Sequence, residues 1–89
     1  MLTMIESLLE NLQSNKNDAL QSIEQAQDLK QLNNLRVKYL GKKGPIQEAM
    51  KKMKDLSPEE RKELGQVSNK VKTSIQEAVT NKQEALEKV

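Results

Sequence analysis

The chain has no cysteine, no histidine, no tryptophan and no phenylalanine, and a single tyrosine among 89 residues. Without cysteine there are no disulfides and no thiolate metal sites, which fits a reducing compartment. Without histidine, imidazole acid–base chemistry and imidazole metal ligation are excluded. With 35% hydrophobic and 1% aromatic residues, no wide globular core can form, and one domain is the most that this length supports. No run approaches 18 apolar residues, and the N-terminus lacks a basic region followed by an apolar one, so the chain reads as cytoplasmic, with no membrane partner. Glycine and proline are scarce, at three and two, so the few that occur punctuate the chain.

What is present is charge: 31% of residues are Asp, Glu, Lys or Arg, with many Gln, Leu and Ala. That composition suits long helices, and periodicity distinguishes these from disorder. Leu2, Leu9, Lys16 and Ile23 fall seven apart, and Ile5, Leu12, Ala19 and Ala26 follow each by three. This 3–4 spacing predicts a helix over about 2–26 with a coiled-coil face. Lys16 is the polar exception on that face, and Asn15–Asp18 is its weakest stretch, a place for fraying or bending. The register fails after Ala26. Asp28 with Gln31 resembles a capping box, and Leu29, Leu32 and Leu35 start a new stripe, predicting a second helix over about 28–40, either separate from the first or continuous with it through a kink.

Gly41 is suited to a left-handed helix cap, and Gly44-Pro45 to a turn with Pro45 opening the next helix. Ile46, Ala49, Met50 and Met53 predict a short amphipathic helix over about 45–55. Ser57-Pro58-Glu59-Glu60 is a strong start signal for a last helix over 58–89. At 1.5 Å per residue that helix would be about 48 Å long. Its stripe comprises Leu64, Val71, Ala78 and Ala85 interleaved with Ser68, Ile75, Lys82 and Val89, broadened by Val67, Val79 and Leu86. Gly65 weakens this helix by about 1 kcal/mol relative to Ala, or permits a close helix approach. The expected fold is all-α: an antiparallel helical hairpin, or coiled coil, whose first and last segments zip together. A short helix and a basic turn lie in the middle, toward the free end.

The net charge of +2 hides an asymmetry. Residues 36–54 carry seven Lys/Arg against one acid, a net of +6, while the remainder is −4. Arg36, Lys38, Lys42, Lys43, Lys51, Lys52 and Lys54 are therefore the candidate nucleic-acid-binding residues, since phosphates are held by such clusters and each neutralised phosphate adds a salt-dependent gain. Lysine, a flexible point charge, suits backbone contact more than base readout. The competing reading is a solvated surface with positive charge at a helix C-terminus. Tyr39 either stacks on a base or packs beside Leu35, Leu40 and Ile46, and packing is favoured. The methionines at 50 and 53 read as gap-fillers. No P-loop, dinucleotide fingerprint or nucleophile–base set occurs, and paired acids such as Glu59/Glu60 read as helix-start charges, so no catalytic or metal-binding residue is expected.

Leu35-Arg-Val-Lys-Tyr-Leu-Gly-Lys-Lys-Gly44, followed by Leu56-Ser-Pro-Glu-Glu-Arg61, Gly65 and Asn69, resembles the N-terminal region of the α subunit of bacterial phenylalanyl-tRNA synthetases. The resemblance covers roughly residues 26–89; residues 1–25 share only amphipathic helical character. It implies an antiparallel coiled-coil arm, spanning residues 1–89 as one domain, that contacts the outer corner of tRNA. It also implies a parent (αβ)₂ ligase, with the β subunit and phenylalanine-specific tRNA as partners, that uses ATP and Mg²⁺ in a downstream class II catalytic domain. That catalytic domain is expected to be absent from this chain, which would then need no cofactor and catalyse nothing alone. Carried over by position, Arg36, Lys38, Lys42 and Lys43 would face tRNA, with Lys51, Lys52 and Lys54 next. The alternative is a helical protein–protein interaction module that binds no nucleic acid.

Overall fold

The computed structural model describes residues 3–88, all of whose regular elements are helical. In order these are α1 (Met4–Gln25), α2 (Leu29–Leu40), α3 (Pro45–Lys51), a 3₁₀ turn (Lys52–Asp55) and α4 (Pro58–Glu87). The all-α class expected from periodicity is observed. Leu2 and Val89, assigned above to the apolar stripes, lie outside the described residues.

Three of the four α-helices begin where a side chain satisfies backbone N–H groups that have no intrahelical partner, whereas α3 begins at Gly44-Pro45 without a side-chain cap. Thr3 caps α1 by accepting from the Glu6 N–H. Asp28 caps α2 by accepting from the Gln31 N–H at 2.8 Å. Gln31 reaches back to the Gln27 N–H at 3.0 Å, one residue earlier than a standard capping box. Ser57 and Glu60 form the full reciprocal box at the start of α4, with Pro58 as first helical residue. The Asn15–Asp18 stretch does not interrupt α1; the Asn15 amide donates back to the Asn11 carbonyl at 2.7 Å.

The bundle is organised around α4, against which α1, α2 and α3 all pack. The antiparallel pair is α2 with α4: Leu29–Asn33 lie level with Val79–Gln83, and Arg36–Gly41 with Lys72–Gln76. The first and last segments do pack together, but in the same direction. Gln13 and Lys16 lie level with Asn69–Ser74, and Glu24 level with Lys82. The reason is at Ala26, whose extended backbone (φ −62°, ψ 133°) ends α1 and lets α2 fold back. The break between the two helices is therefore a reversal, and α1 and α2 cannot together form one long arm of a hairpin. The molecule measures 48 × 21 × 18 Å, its length being essentially that of α4.

The apolar stripes meet along this axis. Leu12 and Ile23 of α1 and Leu64, Val71 and Ile75 of α4 are the most completely buried large side chains. Each contributes roughly 1.5–3 kcal/mol relative to exposure. Ala19 and Ala26 are also buried, which lets the helices approach closely. Lys16, the polar seam position, is half-buried. Two stripe assignments are corrected. Leu8 joins the core from outside the heptad seam, because α3 packs over that face of α1. Ala85 is exposed on the outward side of the last turn of α4, whereas the neighbouring Leu86 packs partly against the core.

Candidate nucleic-acid interface

The basic segment begins on α2, crosses the turn at 41–44 and continues through α3 into the 3₁₀ turn. Backbone packing shapes the turn. Gly41 donates to the Val37 carbonyl at 2.9 Å and is extended (φ −75°, ψ 177°) rather than left-handed as the sequence suggested. Glycine is required there for space: a Cβ would lie 2.4 Å from the Val37 oxygen. At Gly44 a Cβ would lie 2.7 Å from the Tyr39 oxygen. Tyr39 is buried, the favoured of its two readings, and Lys38 Nζ sits 5.3 Å from its ring centroid.

Ile46 and Ala49 anchor α3 in the core, but Met50 is exposed and fills no gap. After Lys51 the helix tightens into the 3₁₀ turn, shortening the helix expected over 45–55. Arg61, in the first turns of α4, secures that turn: its Nε donates to the Met53 carbonyl and its Nη2 to the Lys54 carbonyl, both at 3.0 Å. Arg61 thus fixes the backbone that carries Lys52 and Lys54. Its role was invisible in the charge count, which stops before it.

All seven candidate cations are solvent-exposed. Among the described residues one ion pair forms, between Lys51 and Glu48 at 3.6 Å on the same helix. Exposed on both sides, it is worth little. The structure does not gather the seven onto one face. Lys38 borders a groove between α1 and α2 with Gln25 and Asn34, whereas Arg36 borders clefts between α2 and α4. Lys52 lies against α1 beside Leu8 and Leu12. Lys42 and Lys43 occupy the turn itself. That turn sits part-way along α4, level with Lys72 and Gln76, and not at the free end, because twelve residues of α2 span only about 18 Å. Lys72, outside the basic block in sequence, lines the same cleft as Arg36. Only helix register could have revealed it.

Arg36 is oriented by Asn33, whose side-chain oxygen accepts from Nη2 at 2.6 Å. Among the described residues no group of three or more His, Cys, Asp or Glu side chains is placed to hold a metal ion. No helix among them is long and apolar enough to cross a membrane. The surface is suited to binding anions through exposed point charges.

Comparison with known proteins gives the chain a family. The family described as "Aminoacyl tRNA synthetase class II, N-terminal domain" matches residues 27–89. The phenylalanine–tRNA ligase α subunit of Listeria monocytogenes serotype 4a (strain HCC23) is 55% identical over 80 residues, covering 90% of this chain and 23% of the relative. Those of Halalkalibacterium halodurans (50% over 78 residues; 88% and 23% covered) and Persephonella marina (47% over 81 residues; 91% and 24% covered) are similar. The chain thus spans about a quarter of the length of these relatives. An alignment of 80 of 89 residues takes in most of α1, so the likeness extends further toward the N-terminus than the turn motif suggested. No solved structure matches the chain. With its profile covered from residue 27 to 89 and relatives about half identical over nine-tenths of its length, the chain belongs to the N-terminal-domain family of class II aminoacyl-tRNA synthetases, alongside phenylalanine–tRNA ligase α subunits.

Proposed function

We propose that this domain is a tRNA-binding arm of a phenylalanine–tRNA ligase α subunit, holding phenylalanine-specific tRNA electrostatically while a catalytic domain elsewhere in the enzyme charges it. The observation that carries this reading is the +6 segment at 36–54, whose seven cations are all exposed and meet one carboxylate. Unneutralised lysines at this density attract phosphates and release condensed counterions on contact. They position a nucleic acid without reading its sequence. The helices behind them, with α1, α2 and α4 capped at their starts and the turn fixed by two tightly packed glycines, supply a preorganised mount.

The parent enzyme on this reading is a cytoplasmic (αβ)₂ ligase using ATP and Mg²⁺. The domain has no carboxylate cluster suited to Mg²⁺ among the described residues. No step of amino-acid activation is assigned to it, and its contribution is affinity and orientation.

The test is a titration of the chain with phenylalanine tRNA at several salt concentrations. Each phosphate contact should add about 0.7–0.9 to the log–log slope of affinity against salt. Lys42→Glu/Lys43→Glu should abolish binding while leaving helicity unchanged, because both side chains are exposed. Binding that ignores salt, or that survives the double charge reversal, would overturn the reading. A chain that self-associates in sedimentation and ignores RNA would instead favour the protein-interaction module, whose surface would include the exposed Leu29 and Val37.

A further inference from the structure

We propose that Arg36 and Lys72 form a phosphate clamp across α2 and α4, making Lys72 a nucleic-acid-binding residue although it lies outside the basic segment. The proposal rests on the tRNA-binding reading and names the ligand group, an RNA phosphodiester, and the cleft that takes it. Arg36 and Lys72 line one cleft together with Val37, Leu40, Gly41 and Gln76, with no carboxylate in its lining. The adjoining cleft, which Arg36 shares, also lacks a carboxylate. Two cations lining one cleft without a counter-charge repel each other, and an anion bound between them would relieve that repulsion.

The cleft has the other features that such a ligand needs. Arg36 is held by Asn33 at 2.6 Å, so part of the entropy cost of ordering the guanidinium is already met within the free protein. Val37, 57% exposed, offers an aliphatic face beside the cations where a sugar ring can pack. Gln76 adds an amide to the lining, able to donate to or accept from a ribose hydroxyl. Lys70, two residues from Lys72 on α4, lies in a different groove with Gln13 and Lys16; that groove also lacks a carboxylate but holds no guanidinium oriented by a neighbour, so Lys70 serves as an internal control.

The experiment compares the chain with Lys72→Gln, Arg36→Gln, the double variant and Lys70→Gln, titrating phenylalanine tRNA across a salt series and checking helicity by circular dichroism. Lys72→Gln is expected to weaken binding roughly threefold to tenfold and to lower the salt slope by about one contact. Arg36→Gln should do the same, and the double variant should lose less than the product of the two, because each cation acts on the same phosphate. Lys70→Gln should leave the slope unchanged. If Lys72→Gln matches the parent chain while Lys42→Glu/Lys43→Glu abolishes binding, the clamp is overturned and the arm reading stands. If the unmodified chain binds no tRNA, both are overturned. Equal losses for Lys70→Gln and Lys72→Gln also overturn the clamp, since the effect would then be diffuse charge.

Discussion

Lys82 of α4 donates from Nζ to the backbone carbonyl of Glu24 at 2.8 Å, across 58 residues of sequence. Glu24 lies in the last turn of α1, where carbonyls have no intrahelical partner and no basic residue of α1 is present. The positive charge expected at a helix C-terminus is therefore supplied from a neighbouring helix. The same contact registers the two parallel helices. In sequence Lys82 is one position of the α4 stripe; in the fold it caps the C-terminal end of α1, which the extended Ala26 terminates.

Replacing it should show this. Lys82→Met keeps much of the apolar stem but removes the donor. We expect a loss of about 1 kcal/mol in urea unfolding, the typical net worth of an intramolecular hydrogen bond. Hydrogen exchange should quicken in the last turn of α1 and not in α2. Uniform quickening across the bundle would contradict a local capping role.

Arg61 should matter through geometry more than charge. Arg61→Ala removes two hydrogen bonds to the Met53 and Lys54 carbonyls. A destabilisation of about 1–2 kcal/mol is expected. Arg61→Lys should recover only part of it, since one ammonium cannot reproduce the guanidinium fork. Full rescue by lysine in thermal denaturation would refute this account.

The glycines should respond in opposite directions to alanine. At Gly65 the nearest atom to a new Cβ is the flexible Met53 methyl at 3.9 Å, so no close helix approach depends on this glycine. Gly65→Ala should stabilise the fold by up to about 1 kcal/mol through helix propensity. At Gly44 a Cβ would meet the Tyr39 carbonyl oxygen at 2.7 Å, and the backbone would have to move. Gly44→Ala should destabilise the turn, which calorimetry of the two variants would reveal as Tm shifts of opposite sign.

Ser68 is buried, and its hydroxyl has no hydrogen-bond partner. Ser68→Ala removes that buried polar group and improves helix propensity. A gain of about 1 kcal/mol is expected from chemical denaturation. An equal loss would mean that the hydroxyl is satisfied in solution.

The parts of the fold that could be read from the chain are those governed by near neighbours. Ser57 with Glu60, and Asp28 with Gln31, act over three residues, so their spacing announces helix starts in any tertiary context. The apolar stripe of α1 likewise picks out Ile5, Leu12, Ala19 and Ile23 as buried. The exposed cations at 36–54 were found because they are contiguous. The positions of Arg61 against the 3₁₀ turn and of Lys72 beside Arg36 were not legible, because only packing brings those elements together.

Sequence by itself determined that this chain is helical, where its helices start, which faces are apolar and where positive charge accumulates. It did not determine chain direction: an apolar stripe packs against another whether the two run parallel or antiparallel, since burial has no polarity along the axis. Tertiary structure decided that α2 runs antiparallel to α4 and α1 parallel to it. It also decided that the turn at 41–44 lies beside Lys72 and not at the end of the molecule. The physical cause is the reversal at Ala26–Asp28, a local break whose consequence, the pairing of distant helices, is set by how their side chains fit around α4.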